Sequence, residues 1–185
     1  TSPAALAGSL AQALAECLSA LTCVNLMKPG HPCVMGLWPF VSDLRTGAMT
    51  GGSGEEAVMM AAAAQATSRI RISAAVLNPV TRHISVIASA AKTVSELAPG
   101  RTEFWIGRGF SSVQTVGIPP ATVRQMRHSV LTMKSLLLGE DVSFGGGATS
   151  RMRYGNAEIP RIIIAAHGPR TIEVAGEVAD GVLLQ

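Results

Sequence analysis

The chain has 185 residues, 48% of them hydrophobic and 15% charged, a balance that predicts a folded globular domain and excludes a disordered one. Net charge is +3, aromatic residues make up 4%, and Lys and Arg are scattered. A nucleic-acid surface needs a basic stripe with stacking aromatics, and a membrane span needs roughly 18 consecutive apolar residues; neither is present, so neither partner is expected.

Residues 3–21 predict a helix, because Leu6, Leu10, Leu14, Leu18 and Leu21 recur at helical spacing. The stretch has the look of a leader peptide but lacks a basic start and carries Gln12 and Glu16. Cys17, Cys23 and Cys33 are odd in number and form no C-x-x-C pair, which predicts reduced thiols in a cytoplasmic protein. His31 stands two residues before Cys33, but catalytic zinc takes three protein ligands, so no metal is expected. Residues 34–41 predict a short strand and 46–54 a glycine-rich loop. Residues 55–66 predict a helix, with Glu55 and Glu56 in the first turn where the helix dipole favours acids.

From there the pattern sharpens. Strands are predicted over 69–76, 102–107, 160–166 and 181–184. A helix is predicted over 80–97, since Ile84, Ile87, Ala91, Val94 and Leu97 share a face. Another opens at Pro119-Pro120 with Val123, Met126, Val130, Met133 and Leu137 on one face, and a short one covers 170–178. Residues 107–117 read as a loop, and 139–158 as a polar, glycine-rich excursion long enough for a function or a hairpin. Alternating strands and helices predict a parallel sheet, and apolar strands without alternation predict burial on both faces. An open doubly wound sheet and a piece of a barrel fit this pattern equally. In either, ligands gather where strands end.

Two strand ends carry candidate chemistry. In GRGFSS, residues 107–112, Gly107 and Gly109 allow close backbone approach, Arg108 offers a forked cation for phosphate, and Ser111 and Ser112 add hydroxyls. Ser112 stands where a dinucleotide fingerprint has its third glycine, which counts against a nicotinamide-dependent open-sheet reductase. In AAHGPR, residues 165–170, Gly168-Pro169 opens a helix whose free N–H groups point towards the strand ends, beside His167. An ordinary glycine turn and a structural strand-to-helix turn explain the same residues. Asn78-Pro79 marks a turn, and His83 reads as a packing or capping residue. No nucleophile elbow or paired carboxylates appear, a shortage that suits chemistry carried by an organic cofactor.

Four segments in order, ATSRIRISAAVLNPVTRH (66–83), LAPGRTEFWIGRGFSS (97–112), LLLGEDV (136–142) and IPRIIIAAHGPRTIEVAGEVADGVLL (159–184), resemble the bacterial luciferase-like monooxygenase superfamily. That superfamily includes deazaflavin-dependent methylenetetrahydromethanopterin reductases, and the GPR-x-x-x-x-AGEVADGV block resembles this branch. The resemblance implies an α/β fold, a (β/α)8 TIM barrel present in part (about strands 2 to 6), as one domain over 1–185. With Thr1 at one end and an apolar run stopping at Gln185, both ends read as cut.

The resemblance also implies a site. Ala75-Val76 would form a non-prolyl cis peptide, a bulge propping the central ring of the cofactor. Arg108 would lie near the cofactor phosphate, with Gly107, Gly109 and Ser111 beside it. Ala166, His167 and Gly168 would form a second contacting loop, and Gly181 and Val182 would lie at the next strand end. Asp43 falls where the family has an acidic residue, within a segment (1–50) that matches weakly. The implied cofactor is the deazaflavin coenzyme F420 or flavin mononucleotide (FMN). The implied reaction is hydride transfer with a small organic substrate such as a pterin-linked one-carbon group, in a homo-oligomeric parent protein. The rivals are an FMN-dependent monooxygenase and a non-catalytic binding module or inactive barrel fragment.

Overall fold

The computed structural model describes residues 6–36, 41–42, 49–50, 54–153 and 158–185. Contacts divide the chain into two compact units, Thr1–Glu56 and Ala57–Gln185. In the first, helix α1 (Leu6–Met27) is Ala- and Leu-rich as expected. The Cys17 thiol donates to the Gly36 carbonyl at 3.3 Å. Strands β1 (Val41–Ser42) and β2 (Met49–Thr50) pair antiparallel. The strand expected over 34–41 is absent at its start: residues 34–36 have no regular structure, while Val41 enters a ladder. Gly36 interrupts the apolar run there. Residues 37–40, Asp43 and most of the 46–54 loop lie outside the described residues.

Helix α2 (Gly54–Ala66) matches its expected span and leads into the second unit. Arg101 closes its last turn. The guanidinium donates to the carbonyls of Ala64 (2.9 Å) and Ile70 (3.0 Å) and to the Thr67 hydroxyl (3.2 Å). Carbonyls that a helix end leaves without an intrahelical partner are answered in this way.

The second unit continues with β3 (Ile72–Leu77), α3 (Ile84–Leu97), β4 (Thr102–Ile106), α4 (Ser111–Thr115) and α5 (Val123–Leu138). A two-stranded antiparallel hairpin of β5 (Val142–Ser143) and β6 (Thr149–Ser150) follows, then β7 (Arg161–Ala166), α6 (Pro169–Val178) and β8 (Gly181–Leu184). The helices begin where side chains can cap them. His83 caps α3 by accepting from the Ser85 N–H, and its ring meets Phe144 of the hairpin at 4.8 Å. For α5, Thr122 and Gln125 form a reciprocal capping box, so the helix starts at Val123 rather than at the prolines. Gly139, at φ 76°, ends it in the left-handed conformation that glycine adopts without steric cost.

Strands β3, β4, β7 and β8 form one parallel sheet in that order, so chain neighbours are sheet neighbours. A doubly wound sheet reverses its strand order; this one does not. Helices α3, α5 and α6 cover one face. Phe104, Ile106, Ile162 and Ile164 pack there against Ile87 and Ala91 of α3, Met126, Val130 and Met133 of α5, and Val174 and Val178 of α6. Full burial of each large apolar side chain contributes about 1.5–3 kcal/mol. Only β7 is buried on both faces along nearly its whole length. In β4, Thr102, Phe104 and Ile106 are buried while Glu103 and Trp105 are half-buried, so the expected double burial does not extend to this strand. The helices lie on one side of it, and the other side is less covered among the described residues. No described helix is long and apolar enough to cross a membrane.

Candidate cofactor site

The registers Leu77 with Ile106, Ile106 with Ile164, and Ala166 with Leu184 line up the four strand ends as one rim. At this rim β3 departs from regular pairing. Its register shifts between Ala74 and Leu77, and the peptide bond between Ala75 and Val76 is cis. Ala74 and Leu77 both pack on the helix-side core. The two residues between them are both exposed, which strict alternation would forbid.

The neighbouring strand is shaped to fit this bulge. The Gly107 N–H donates to the Leu77 carbonyl at 2.8 Å. A Cβ on Gly107 would stand 2.6 Å from Val76 Cγ1 and 3.7 Å from the Ala165 Cβ. No side chain fits there, which explains the first glycine of GRGFSS more directly than ligand contact does. Gly109 takes φ 78°, and a Cβ on it would meet Asn78 Cγ and Val113 Cγ1 at 2.9 Å each. Arg108, between them, is held twice to the residues before α5: its Nε–H donates to the Ala121 carbonyl, and the Ala121 N–H donates to the Arg108 carbonyl at 2.9 Å. Ser111 opens α4, a short helix inside the segment expected to be a loop.

Just past β7, His167 is exposed at the rim and Gly168 is the N-cap residue of α6, with no side-chain cap and open space where a Cβ would stand. The Ala166 side chain is 1% exposed and belongs to the helix-side core. Gly181 opens β8 and pairs with Ile163, three residues short of the Ala166–Leu184 level. At ~3.3 Å per residue it lies about 10 Å from the rim. A Cβ on it would stand 2.8 Å from Ile163 Cδ1, the far end of a side chain that can turn aside.

The bulge, Gly107, Arg108, Gly109 and the His167–Gly168 turn thus share one rim, while Ala166 turns away and Gly181-Val182 sit below it. Sequence reading missed Asn78 as more than a turn residue. Asn78 is 6% exposed; its carbonyl oxygen accepts from the N–H groups of Val80 (3.0 Å) and Thr81 (2.8 Å) and from the Thr81 hydroxyl (3.1 Å). Its amide nitrogen donates to the Ser112 hydroxyl at 3.0 Å. The Asn-Pro dipeptide signalled a turn, but a partner 34 residues away has no local signature. Two clefts lie away from the rim. One of about 460 Å³ runs along the hairpin past Asp141, Arg151 and Arg153, and one of about 200 Å³ lies at the strand starts, lined by Arg71, Glu103 and Arg161.

A family model described as luciferase-like monooxygenase matches residues 43–185. The chain belongs to that family. A second family model, described as trimethylamine methyltransferase, matches residues 1–81 and overlaps the first from 43 onward.

A 5,10-methylenetetrahydromethanopterin reductase of Methanolobus tindarius is 31% identical over 127 residues, 64% of this chain and 38% of that protein. An F420-dependent glucose-6-phosphate dehydrogenase of Beutenbergia cavernae is 33% identical over 154 residues, 77% of this chain and 46% of that protein. Among solved structures, an F420-dependent secondary alcohol dehydrogenase in complex with an F420–acetone adduct aligns with TM-score 0.60 and 23% identity, covering 72% of this chain and 44% of that one. The coenzyme F420-dependent tetrahydromethanopterin reductase of Methanopyrus kandleri aligns with TM-score 0.57 and 22% identity, covering 70% and 44%. The fold is the luciferase-like (β/α)8 barrel in part, with four of its parallel strands in the sheet described here. The chain spans less than half the length of the curated relatives it matches.

Proposed function

We propose that this chain belongs to a deazaflavin-dependent oxidoreductase that moves a hydride between coenzyme F420 and a small organic substrate. The observation that carries this reading is the rim. There, an exposed two-residue bulge at Ala75-Val76 meets a glycine with no room for a side chain, next to a cation and a helix start. The relatives' names, F420-dependent reductases and dehydrogenases, point the same way.

The residues present fit such a cofactor. The exposed Ala75-Val76 backbone is a shelf for a flat ring, and Arg108 would hold the phosphate. The open space at Gly168 lies beside the N–H groups of α6, where the helix dipole favours negative charge. When bound, the deazaflavin supplies the hydride chemistry itself. The protein's part is to fix the ring by the bulge, to anchor the anionic end, and to keep water from the ring. Ser111, the first residue of α4, would add a hydroxyl near that anionic end. A single partial barrel domain remains the reading for the chain, supported by the family match over residues 43–185. We place the protein in the cytoplasm, in keeping with free thiols at Cys17, Cys23 and Cys33.

Titration of the 185-residue chain with coenzyme F420 and with FMN, read by cofactor fluorescence, tests this. F420 is expected to bind, and Arg108→Ala to weaken it by about 1.5–3 kcal/mol, what one charge-assisted hydrogen bond contributes. If the variant binds both cofactors as tightly as the parent, Arg108 is not the phosphate ligand. Self-association is also expected, because β3 and β8 each have one edge unpaired among the described residues, and Leu184 on β8 is 66% exposed. A monomer in size-exclusion chromatography at micromolar concentration would contradict it.

A further inference from the structure

We propose that Asn78 is the positioning residue that locks the Gly107–Ser112 loop onto the β3 bulge, and so sets where Arg108 stands. The proposal deepens the cofactor reading and rests on it only for the purpose that the positioning serves.

Asn78 directly follows β3, one residue beyond the bulge, and is buried. Its side chain divides its work between two loops. The oxygen organises its own turn by accepting from Val80 and Thr81. Any Asx-type turn does as much, and a residue that merely ended β3 would need nothing further. The nitrogen, however, crosses to Ser112, 34 residues on. Three more contacts fix the same loop from either side. Gly107 donates to Leu77, the residue before Asn78. Gly109 lies so close to Asn78 that a Cβ would reach within 2.9 Å of its Cγ. Arg108 and Ala121 exchange two bonds at the loop's far side. The Asn78–Ser112 bond is therefore the side-chain tie between the bulge and the segment that carries Arg108. Asparagine suits the position because one amide group presents both an acceptor for the turn and a donor for the loop.

Ser112→Ala tests this without touching the Asn78 turn, because Ser112 is exposed and the substitution deletes one hydroxyl. Amide hydrogen exchange on the 185-residue chain is the first readout. Exchange at Gly107, Gln114 and Ala121 is expected to quicken roughly three- to tenfold, the effect of one lost hydrogen bond on local opening. Amides in the middle of α5 should keep their rates, and Ser112→Thr should restore the parent pattern. Unchanged rates at the three loop amides in Ser112→Ala, or quickening spread equally over α5, would overturn the proposal. The second readout is coenzyme F420 titration. Weaker binding by Ser112→Ala, restored in Ser112→Thr, ties the lock to the cofactor. Unchanged binding alongside quickened exchange would overturn that link. A parent chain that binds no F420 sinks the cofactor reading, while the exchange rates still decide the lock.

Discussion

The two ends of the parallel sheet are built from different chemistry. Where the strands begin, charge answers charge. Glu103 accepts from Arg71 and from Arg161 at 3.2 Å each, and from the Trp105 indole at 3.3 Å. Asp180 accepts from Lys134 at 2.7 Å and from the Ile162 N–H at 2.8 Å, and Arg101 closes α2. Where the strands end, Gly107 and Gly109 are packed closely against Val76 and Asn78, Gly168 faces open space, and Arg108 is tied to backbone rather than to a carboxylate. In barrels of this type the starting end serves stability and the finishing end carries chemistry. The contrast gives that division a physical form. Paired charges hold one edge, and unfilled space with an exposed backbone is left at the other.

Substitutions should break the two ends differently. The largest effect is expected at Gly107→Val, which forces a side chain onto Val76 and Ala165. About 3 kcal/mol of stability should be lost, with cofactor binding lost alongside, and Val76→Ala should return part of both in the double variant. Thermal melts and F420 titration of the three variants check it. Next is Asp180→Ala, which leaves the Ile162 N–H without its carboxylate partner and should cost about 1–2 kcal/mol. Denaturant melts should show that loss while the affinity for F420 stays at the parent value; a matching loss of affinity would blur the division of labour. The smallest is Arg71→Gln. Arg71 is 69% exposed and Glu103 keeps Arg161, so the change in stability should stay below about 1 kcal/mol and shrink with added salt.

What the sequence disclosed about these two ends follows from the range of each interaction. The run RIIIAA of β7 and the apolar faces of α3 and α5 are local patterns that mark their elements, although α3 begins at Ile84, where His83 caps it, rather than at Val80. The start of α5 was misplaced because two prolines outweighed a Thr–Gln capping box. Residues 107–109 were legible as a rim feature because glycines directly follow a strand. Their reason, the closeness of Val76, was not, since that contact is made across strands. Gly181 and Val182 stand at the start of their strand rather than at its end. The strand itself was visible, but its register against Ile163 is set by the Asp180 turn and by packing. Asn78 and Ser112 were both read, separately, and nothing in either segment announces the other.

The comparison of the two ends is tested most directly by backbone amide chemical shifts of the 19.1 kDa chain, recorded as coenzyme F420 is added. The account predicts that the shifts which move belong to Ala75, Val76, residues 107–112 and residues 167–168, while Arg71, Glu103, Asp180 and Gly181 stay in place. Movement centred on Glu103 and Asp180, with the rim amides unchanged, would contradict it.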